Sequence, residues 1–323
     1  MGTNRNVAVV AASVLSFAAT CAGAQSLESV GVRAAGMAGA FVAVASDSSA
    51  IWWNPGALPA GSFVDASIGH MTASDTGEGS EASARATTLA FALPMAGLHL
   101  ARYDVAGAAP ARGHIGAARA SVTQAGVTLV QSVVSGLHIG GTLKYLHATS
   151  SAELRIGSAF GAVNRARALD LETGHGAWDA DLGVVAVHRA WRVGLVARQL
   201  GAPTFDAGGT SIRLGRQARV GLAYDAAASK GPAVVVSADA DLTSTSGPDG
   251  SRRDVAVGVE RWIREGRIGV RGGFRASTEG EARPVGALGA SVLVKSGMFL
   301  EISGASGARG GRASWGASAR VAF

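Results

Sequence analysis

The sequence predicts an all-β protein, a transmembrane antiparallel β-barrel of about fourteen strands. Three observations predict it: apolar and polar residues alternate in short segments, the connections alternate in length, and glycine is abundant while long apolar runs are absent. The 323 residues include 46 glycines, and only 16% of the residues are charged. The mean hydropathy of +0.25 suits strands in which every second residue faces lipid. After the N-terminus, no apolar run reaches the roughly 18 residues that a helical membrane span requires.

The last residues of the chain show the alternation clearly. Counting back from Phe323, one set of alternate positions is small or polar, and the other is apolar: Val321, Ala319, Ala317, Trp315 and Ala313. A two-residue period predicts a β-strand with one apolar face. The positions of Trp315, Val321 and Phe323 resemble the C-terminal signature strand of bacterial outer-membrane barrels, and the resemblance implies recognition by the barrel-assembly machinery. An edge strand of a soluble β domain shows the same alternation, so the rest of the chain must decide.

The rest of the chain repeats the pattern. Val270 and Phe274, for example, alternate with Arg271 and Arg275. The predicted strands lie near residues 62–72, 85–94, 97–104, 119–133, 136–149, 177–188, 191–200, 217–225, 232–242, 253–263, 266–277, 285–295, 298–304 and 312–323. We expect Tyr145, Trp191, Trp262 and Trp315, which lie near strand ends, to form an interfacial aromatic belt.

The connections between these strands alternate between long and short. If both termini are periplasmic, the long connections are outer loops and the short ones are periplasmic turns. A soluble sandwich or propeller has no reason to alternate in this way, so the pattern favours the membrane barrel. The long connections are 72–83, 105–118, 150–176, 201–216, 243–252, 278–284 and 305–311, and the short ones are 94–96, 134–135, 189–190, 265 and 296–297, with 226–231 longer than expected.

The N-terminus predicts a cleavable secretory signal peptide over residues 1–24. Arg5 supplies the positive charge, residues 7–19 the apolar core, and Ala22-Gly23-Ala24 the cleavage site before Gln25. Cys21, the only cysteine, leaves with the signal, so the mature chain has no thiol for disulfides or catalysis. The predicted organisation is therefore a signal peptide at 1–24, a plug segment at 25–61 and one barrel at 62–323, located in a Gram-negative outer membrane.

The plug segment carries a recognisable motif. Its residues are Arg33, Gly36, Gly39, Phe41, Asp47, Trp52, Trp53, Asn54, Pro55 and Gly56. This pattern resembles the N-terminal segment of the FadL superfamily of outer-membrane transport proteins, and its wording is closest to the PorV/PorQ-like branch. In one departure, the family's Ala-Gly after Asn-Pro is inverted to Gly56-Ala57. The alternative is a peptide that is merely tucked against the base of the barrel.

The resemblance implies two functions. In FadL relatives the segment is a plug, or hatch, and hydrophobic ligands such as long-chain fatty acids leave sideways through a gap in the wall; the short third strand, 97–104, is where we expect such a gap. In the PorV/PorQ-like branch the barrel is an accessory of type IX-like secretion and surface attachment that binds exported proteins. The first function predicts a hydrophobic small-molecule ligand, and the second predicts protein partners. Both place the barrel in outer-membrane lipid.

Charged residues on the face opposite the apolar positions are predicted to face the lumen. They are Lys144, Asp179, Asp181, Asp239, Asp241, Arg267, Arg271, Arg275 and Arg320. Since buried charges must be paired, one interpretation is a network that fills a narrow barrel. The other is a polar track, or a docking surface for the plug segment.

No pattern in the sequence indicates catalysis. The seven histidines show no metal-ligand spacing, and no G-x-S-x-G or P-loop motif occurs. We therefore predict no enzyme activity, catalytic residue, metal or cofactor. The net charge of +6 is dispersed over many short segments, which argues against nucleic acid as a partner.

Overall fold

The computed structural model describes residues 30–77, 80–111, 114–155, 173–207, 210–229, 233–247, 250–307 and 312–323. The predicted signal peptide and residues 25–29 of the predicted plug lie outside the described residues. The helices are α1 (Val32–Gly36), α2 (Ala50–Trp53) and the 3₁₀ helices Pro55–Ala60 and Ala226–Ser229. The strands are β1 (Asp65–Gly77), β2 (Ser80–Leu93), β3 (Ala96–Ala111), β4 (His114–Val134), β5 (Leu137–Arg155), β6 (Thr173–His188), β7 (Trp191–Arg198), β8 (Thr204–Ala207), β9 (Thr210–Arg213), β10 (Gln217–Asp225), β11 (Val234–Asp241), β12 (Thr245–Gly247), β13 (Gly250–Arg252), β14 (Asp254–Ile263), β15 (Ile268–Ser277), β16 (Val285–Lys295), β17 (Met298–Gly307) and β18 (Arg312–Ala322).

Fourteen of these strands form a closed antiparallel barrel, which confirms the predicted fold class. Each barrel strand pairs with its neighbours along the chain, and β1 closes the cylinder against β18. The four short strands β8, β9, β12 and β13 form two separate hairpins in the outer connections. Among the described residues, no helix has the length and apolar character needed to cross a bilayer.

The two faces of the strands differ as the alternation predicts. On β15, Val270 and Phe274 are about half exposed on the outer surface, whereas Arg271 and Arg275 are buried inside. The same alternation of exposed and buried positions recurs along β7, β14 and β16. A barrel in lipid requires this arrangement, because its outside must be apolar while its interior can hold paired charges.

Several predicted outer loops belong to the strands. β1 and β2 stay paired up to Gly77 and Ser80, and β3 and β4 stay paired up to Ala111 and His114. The predicted gap beside the third strand is also wrong, because β3 is 16 residues long and pairs with both β2 and β4. The residues responsible are mainly alanine and glycine in β3–β4 and mainly small polar and acidic residues in β1–β2. Neither set shows an apolar–polar period, so the sequence does not reveal these strand ends.

Two aromatic pairs mark the edges of the lipid-facing zone. The ring centroids of Tyr145 and Trp178 lie 5.2 Å apart near the end of the barrel that carries the long connections. Those of Trp191 and Tyr224 lie 5.0 Å apart near the short-turn end. Trp178 and His188 are ten residues apart on β6, and His188 lies directly opposite Trp191 on β7. Ten residues at ~3.3 Å each and a tilt of about 40° span about 25 Å, which is the height of the apolar band of outer-membrane barrels.

The predicted place of Trp262 is wrong. It has the inward parity of Glu260 and packs edge-on against Phe299, with the ring centroids 5.9 Å apart. Both rings therefore belong to the interior at the short-turn end and not to the belt. The other three predicted belt residues, Tyr145, Trp191 and Trp315, are exposed on the outer surface.

Candidate functional site

Residues 30–61, which we call the luminal segment, lie inside the barrel. Helix α1 contacts β1 and β15–β18, α2 contacts β3, and the 3₁₀ helix Pro55–Ala60 contacts β2 and β4–β6. The contacted wall residues, such as Gly140 and Glu260, lie in the halves of the strands next to the short turns. All ten residues of the predicted plug motif are buried: Arg33, Gly36, Gly39, Phe41, Asp47, Trp52, Trp53, Asn54, Pro55 and Gly56.

The luminal segment is held together by its own side chains. The Asn54 side chain accepts a hydrogen bond from the Gly56 N–H (3.1 Å) and donates to the carbonyls of Val42 (3.0 Å) and Val184 (3.1 Å). It therefore begins the 3₁₀ helix and links two parts of the segment to β6. The Trp53 indole donates to the Val30 carbonyl, 2.9 Å away. Asn suits this position because its short amide side chain accepts one hydrogen bond and donates two at the same time.

A buried ion pair anchors the first half of the segment to the wall. Arg33 donates from Nε and Nη2 to the two carboxylate oxygens of Glu260, at 2.9 and 2.5 Å, and from Nη1 to Asp47 at 3.2 Å. Burial opposes charge, but Glu260 and Asp47 hold the pKa of Arg33 above its usual value. Burial also raises the pKa of Asp47, yet the Arg33 and Arg320 guanidiniums bring it below its usual value. The three groups are therefore charged and mutually stabilised.

Wall carboxylates also bind the backbone of the segment. Asp239 accepts hydrogen bonds from the N–H groups of Phe41 and Val42, both at 2.8 Å. Asp65 accepts from the N–H of Ser48 at 3.0 Å and from Arg320 at 3.0 Å. These bonds satisfy N–H groups that would otherwise be buried without partners. The luminal charges thus include a docking surface for the segment as well as a network of pairs.

The other predicted luminal charges pair with wall residues, with one exception. Lys144 lies 2.7 Å from Asp181 and 3.2 Å from Asp179, and all three are buried. Asp241 pairs with Arg219 at 2.6 Å, and Arg271 and Arg275 are buried near Glu260 and Asp254. Arg267 was predicted to face the lumen but is exposed, because it lies in the turn before β15 begins.

Sequence reasoning missed the glycines that seat the segment. Inward-facing glycines occur where the segment touches the wall, and a Cβ there would collide with it. Gly183 faces Asn54 and Pro55, with Pro55 Cδ 2.7 Å from the position of a Cβ. We call this set the glycine seat: Gly97, Gly140, Gly183, Gly194, Gly221, Gly258, Gly273 and Gly289. A glycine inside a strand often marks close backbone approach, and that signal was available in the sequence.

The outer hairpin β8–β9 covers part of the lumen. Phe205 and Leu214 are buried with Leu146 against the inner face of β4–β6, where Val122, Ala148 and Ala177 complete an apolar cluster. The Leu214 N–H donates to the Pro203 carbonyl at 2.9 Å, which closes the base of the hairpin. The cluster is smaller than the core around the luminal segment, and Val122 packs against both.

Replacing Phe205 by alanine is expected to release this hairpin. Loss of a buried phenyl ring costs about 3–5 kcal/mol, and a short hairpin without that contact is marginal in water. Amide exchange of the β8 and β9 residues, followed by mass spectrometry, should accelerate about tenfold or more. Leu288→Ala removes an exposed, lipid-facing side chain and serves as the control. Equal protection of the hairpin in both variants would contradict the anchoring role.

A fourteen-stranded barrel that holds its own N-terminal segment in the lumen has the architecture of the FadL-type outer-membrane barrels. The toluene transporter TbuX of Ralstonia pickettii has a TM-score of 0.66 at 14% identity, covering 92% of this chain and 99% of that one. The toluene transporter TodX of P. putida has a TM-score of 0.64 at 12% identity, covering 92% of this chain and 99% of that one. A FadL homologue of Pseudomonas aeruginosa has a TM-score of 0.65 at 10% identity, covering 91% of this chain and 98% of that one. At these identities the likeness shows the fold alone, and at that level the predicted FadL resemblance is confirmed. The PorV/PorQ-like branch stays a prediction.

The chain belongs to the family described as "F plasmid transfer operon, TraF, protein", whose model matches residues 65–241, just over half of the chain. These residues run from the start of β1 to the end of β11. No curated protein matches the sequence.

Proposed function

We propose that this protein is an outer-membrane channel for hydrophobic small molecules, closed by its luminal segment. One observation carries the proposal: the segment fills the lumen of a barrel whose fold is shared with two toluene transporters. The two termini and the short turns are then periplasmic, and the longer connections face outward. Long-chain fatty acids remain one candidate ligand within this class.

The two halves of the segment are held differently, and this difference identifies the moving part. Residues 33–47 are fixed by the buried pair of Arg33 with Glu260 and by the two hydrogen bonds to Asp239. Residues 50–58 are held to the wall mainly by apolar packing and by the single Asn54 link to Val184, and to the first half by the hydrogen bonds of Trp53 to Val30 and of Asn54 to Val42. Since breaking a buried ion pair costs about 3–5 kcal/mol and one hydrogen bond about 1 kcal/mol, the second half moves more readily. We call residues 50–58 the latch.

The packing around the latch suits a hydrophobic passenger. Ile51 and Leu58 pack against Gly97, and Trp52 lies edge-on to His99 with the ring centroids 5.0 Å apart. Displacing the latch exposes this apolar surface between the segment and β3. A cleft between the segment and β1, β2, β17 and β18 is lined by Trp52 and Met71 as well as by Arg33, Asp47, Glu301 and Arg320, and at about 20 Å³ it has room for about one water molecule. An apolar ligand therefore passes on the β3 side.

Replacing Asn54 by alanine is expected to raise the uptake of toluene or a labelled fatty acid several-fold, because it removes the link between the latch and β6. The measurement is uptake into liposomes that contain the purified barrel. Gln131→Ala changes an exposed amide that donates only to its neighbouring carbonyl and is the matched control. Unchanged uptake in Asn54→Ala, or in a variant without the whole segment, would count against a channel gated by the segment.

The alternative, an accessory that binds exported proteins, is favoured by one feature. β4 and β5 are 21 and 19 residues long, whereas β7 and β11 have only 8 each, so one side of the barrel rises well beyond the other. Such a raised sheet offers a surface to a protein partner outside the cell. A pull-down with the intact barrel decides: recovery of surface or secreted proteins supports this role, and their absence, with intact uptake, excludes it.

A further inference from the structure

A group of cations lies on one sector of the rim at the short-turn end of the barrel. Arg261, Arg264 and Arg267 belong to the β14–β15 hairpin, and Lys295 ends β16. All four side chains are exposed. The Leu293 N–H donates to the Arg267 carbonyl at 2.8 Å, which ties β16 to the hairpin. We call these four residues the basic rim.

Within the described parts of the chain, the ion pairs do not include any of these four charges. Glu265 is the one acid in the turn of the hairpin, and the acids of β14, Asp254 and Glu260, face the lumen. Arg192, at the same end, is instead paired with Asp225 at 2.7 Å. The turns after β2 and β4 carry exposed Met95 and Val134 and no charge. The three arginines and the lysine are therefore grouped in one sector of the rim, while the β6–β7 turn in another sector carries one exposed cation, Arg189.

The basic rim lies at the edge of the lipid-facing surface. Arg261 follows Val257 and Val259 on the outward face of β14, and it is one outward position closer to the turn than Val259. Val259 lies opposite Val236, which lies opposite Tyr224 on the next strand. Tyr224 belongs to the aromatic pair with Trp191 at the short-turn end. Aromatic pairs of this kind lie at headgroup depth, so Arg261 reaches the headgroups just beyond them.

We propose that the basic rim binds an anionic phospholipid of the leaflet at this end of the barrel. The phosphodiester would accept hydrogen bonds from the guanidinium groups, which match phosphate oxygens geometrically. The acyl chains would lie along Val259, Val270 and Val292, which are exposed on the adjoining strands. An acidic soluble protein fits less well, because Arg261 projects from the face that lipid covers. Outward-facing valines and cations on three adjacent strands together match one phospholipid molecule.

The test compares an anionic and a zwitterionic lipid that differ only in the headgroup. Full-length barrel in neutral detergent is mixed with phosphatidylglycerol or phosphatidylcholine of the same acyl chains, and bound lipid is counted by native mass spectrometry. We expect phosphatidylglycerol to bind about tenfold more tightly or better, since each surface cation contributes about fivefold. Added salt should reduce this preference.

Two variants with equal loss of charge distinguish a site from general attraction. The combined variant Arg261→Gln, Arg264→Gln and Arg267→Gln should lose the preference for phosphatidylglycerol. Arg85→Gln, Arg119→Gln and Arg253→Gln together, which change exposed arginines on the outer side, should keep it. Equal binding of the two lipids, or equal loss in both triple variants, would overturn the proposal. Unchanged heat-modifiable gel mobility shows that both variants are folded, and neither outcome depends on the channel function.

Discussion

Replacing Gly183 by valine is expected to drive the latch out of its place. A Cβ at this position would lie 2.7 Å from Pro55 Cδ and would collide with the Asn54 amide oxygen, and valine adds two methyl groups to that space. Overpacking of this kind costs about 1–3 kcal/mol, which the chain avoids by releasing the latch. Ala57→Cys, at a buried position, reports the change. We expect its reaction with a maleimide to accelerate about tenfold or more, and uptake to rise with it.

The control for this prediction is Gly286→Val. A Cβ at Gly286 meets no atom within 4 Å, and the residue faces outward on β16. Labelling and uptake should therefore stay at the level of the parent. The reporter is specific, because the only native cysteine, Cys21, belongs to the predicted signal peptide. Slow labelling of Gly183→Val, with a folded barrel, would show that the seat does not position the latch.

Replacing Glu260 by glutamine is expected to give the largest loss of stability. In the parent protein, Arg33 and Arg271 both pair with Glu260, at 2.5 and 3.4 Å. The substitution therefore leaves both arginines buried near a neutral group. Removing one partner of a buried pair costs about 3–5 kcal/mol. The urea concentration at which the barrel unfolds should fall accordingly, and the first half of the luminal segment should become accessible.

Asp104→Asn is the matched control for Glu260→Gln. Asp104 pairs with Arg102 on the outer surface, where both side chains are about half exposed or more. Pairs of this kind contribute about 0–1 kcal/mol. The second substitution Arg271→Gln should restore part of the loss in Glu260→Gln, because Arg271 pairs with Glu260 whereas Arg33 keeps its pair with Asp47. If both single variants unfold at the same urea concentration, the buried pair does not anchor the segment.

The strand pattern was readable from the sequence because lipid and lumen impose opposite demands on alternate residues. Val270 beside Arg271 and Phe274 beside Arg275 show it directly. Strand ends were misread where alanine and glycine dominate, as in 105–118, because small residues suit either face. Arg267 was assigned to the lumen by parity, although a turn that includes left-handed Arg264, Glu265 and Gly266 precedes β15 and removes it from the strand. Alternate residues face the lumen and the lipid only within a strand that is hydrogen-bonded to its neighbours.

The luminal segment was found by its motif, but its seat was not. The buried plug residues Trp53 and Asn54 stand out in composition, whereas the glycines that receive them are spread over eight strands and share no local pattern. Their relation depends on barrel closure, which brings residues far apart in sequence, such as Gly97 and Gly289, to the same ring. The pairing of Arg33 with Glu260 across 227 positions is of the same kind. Such contacts follow from the three-dimensional register and not from spacing.

Locking the latch to the wall tests the central claim most directly. The Ile51 Cγ1 atom lies 2.9 Å from the position of a Cβ on Gly97, which suits the Sγ–Cβ separation of about 3 Å in a disulfide. In the double variant Ile51→Cys and Gly97→Cys, uptake of toluene into liposomes should stop under oxidising conditions and return on reduction. The single variants should not respond to reduction. Equal uptake by the oxidised and reduced barrel would contradict the view that movement of residues 50–58 opens this channel.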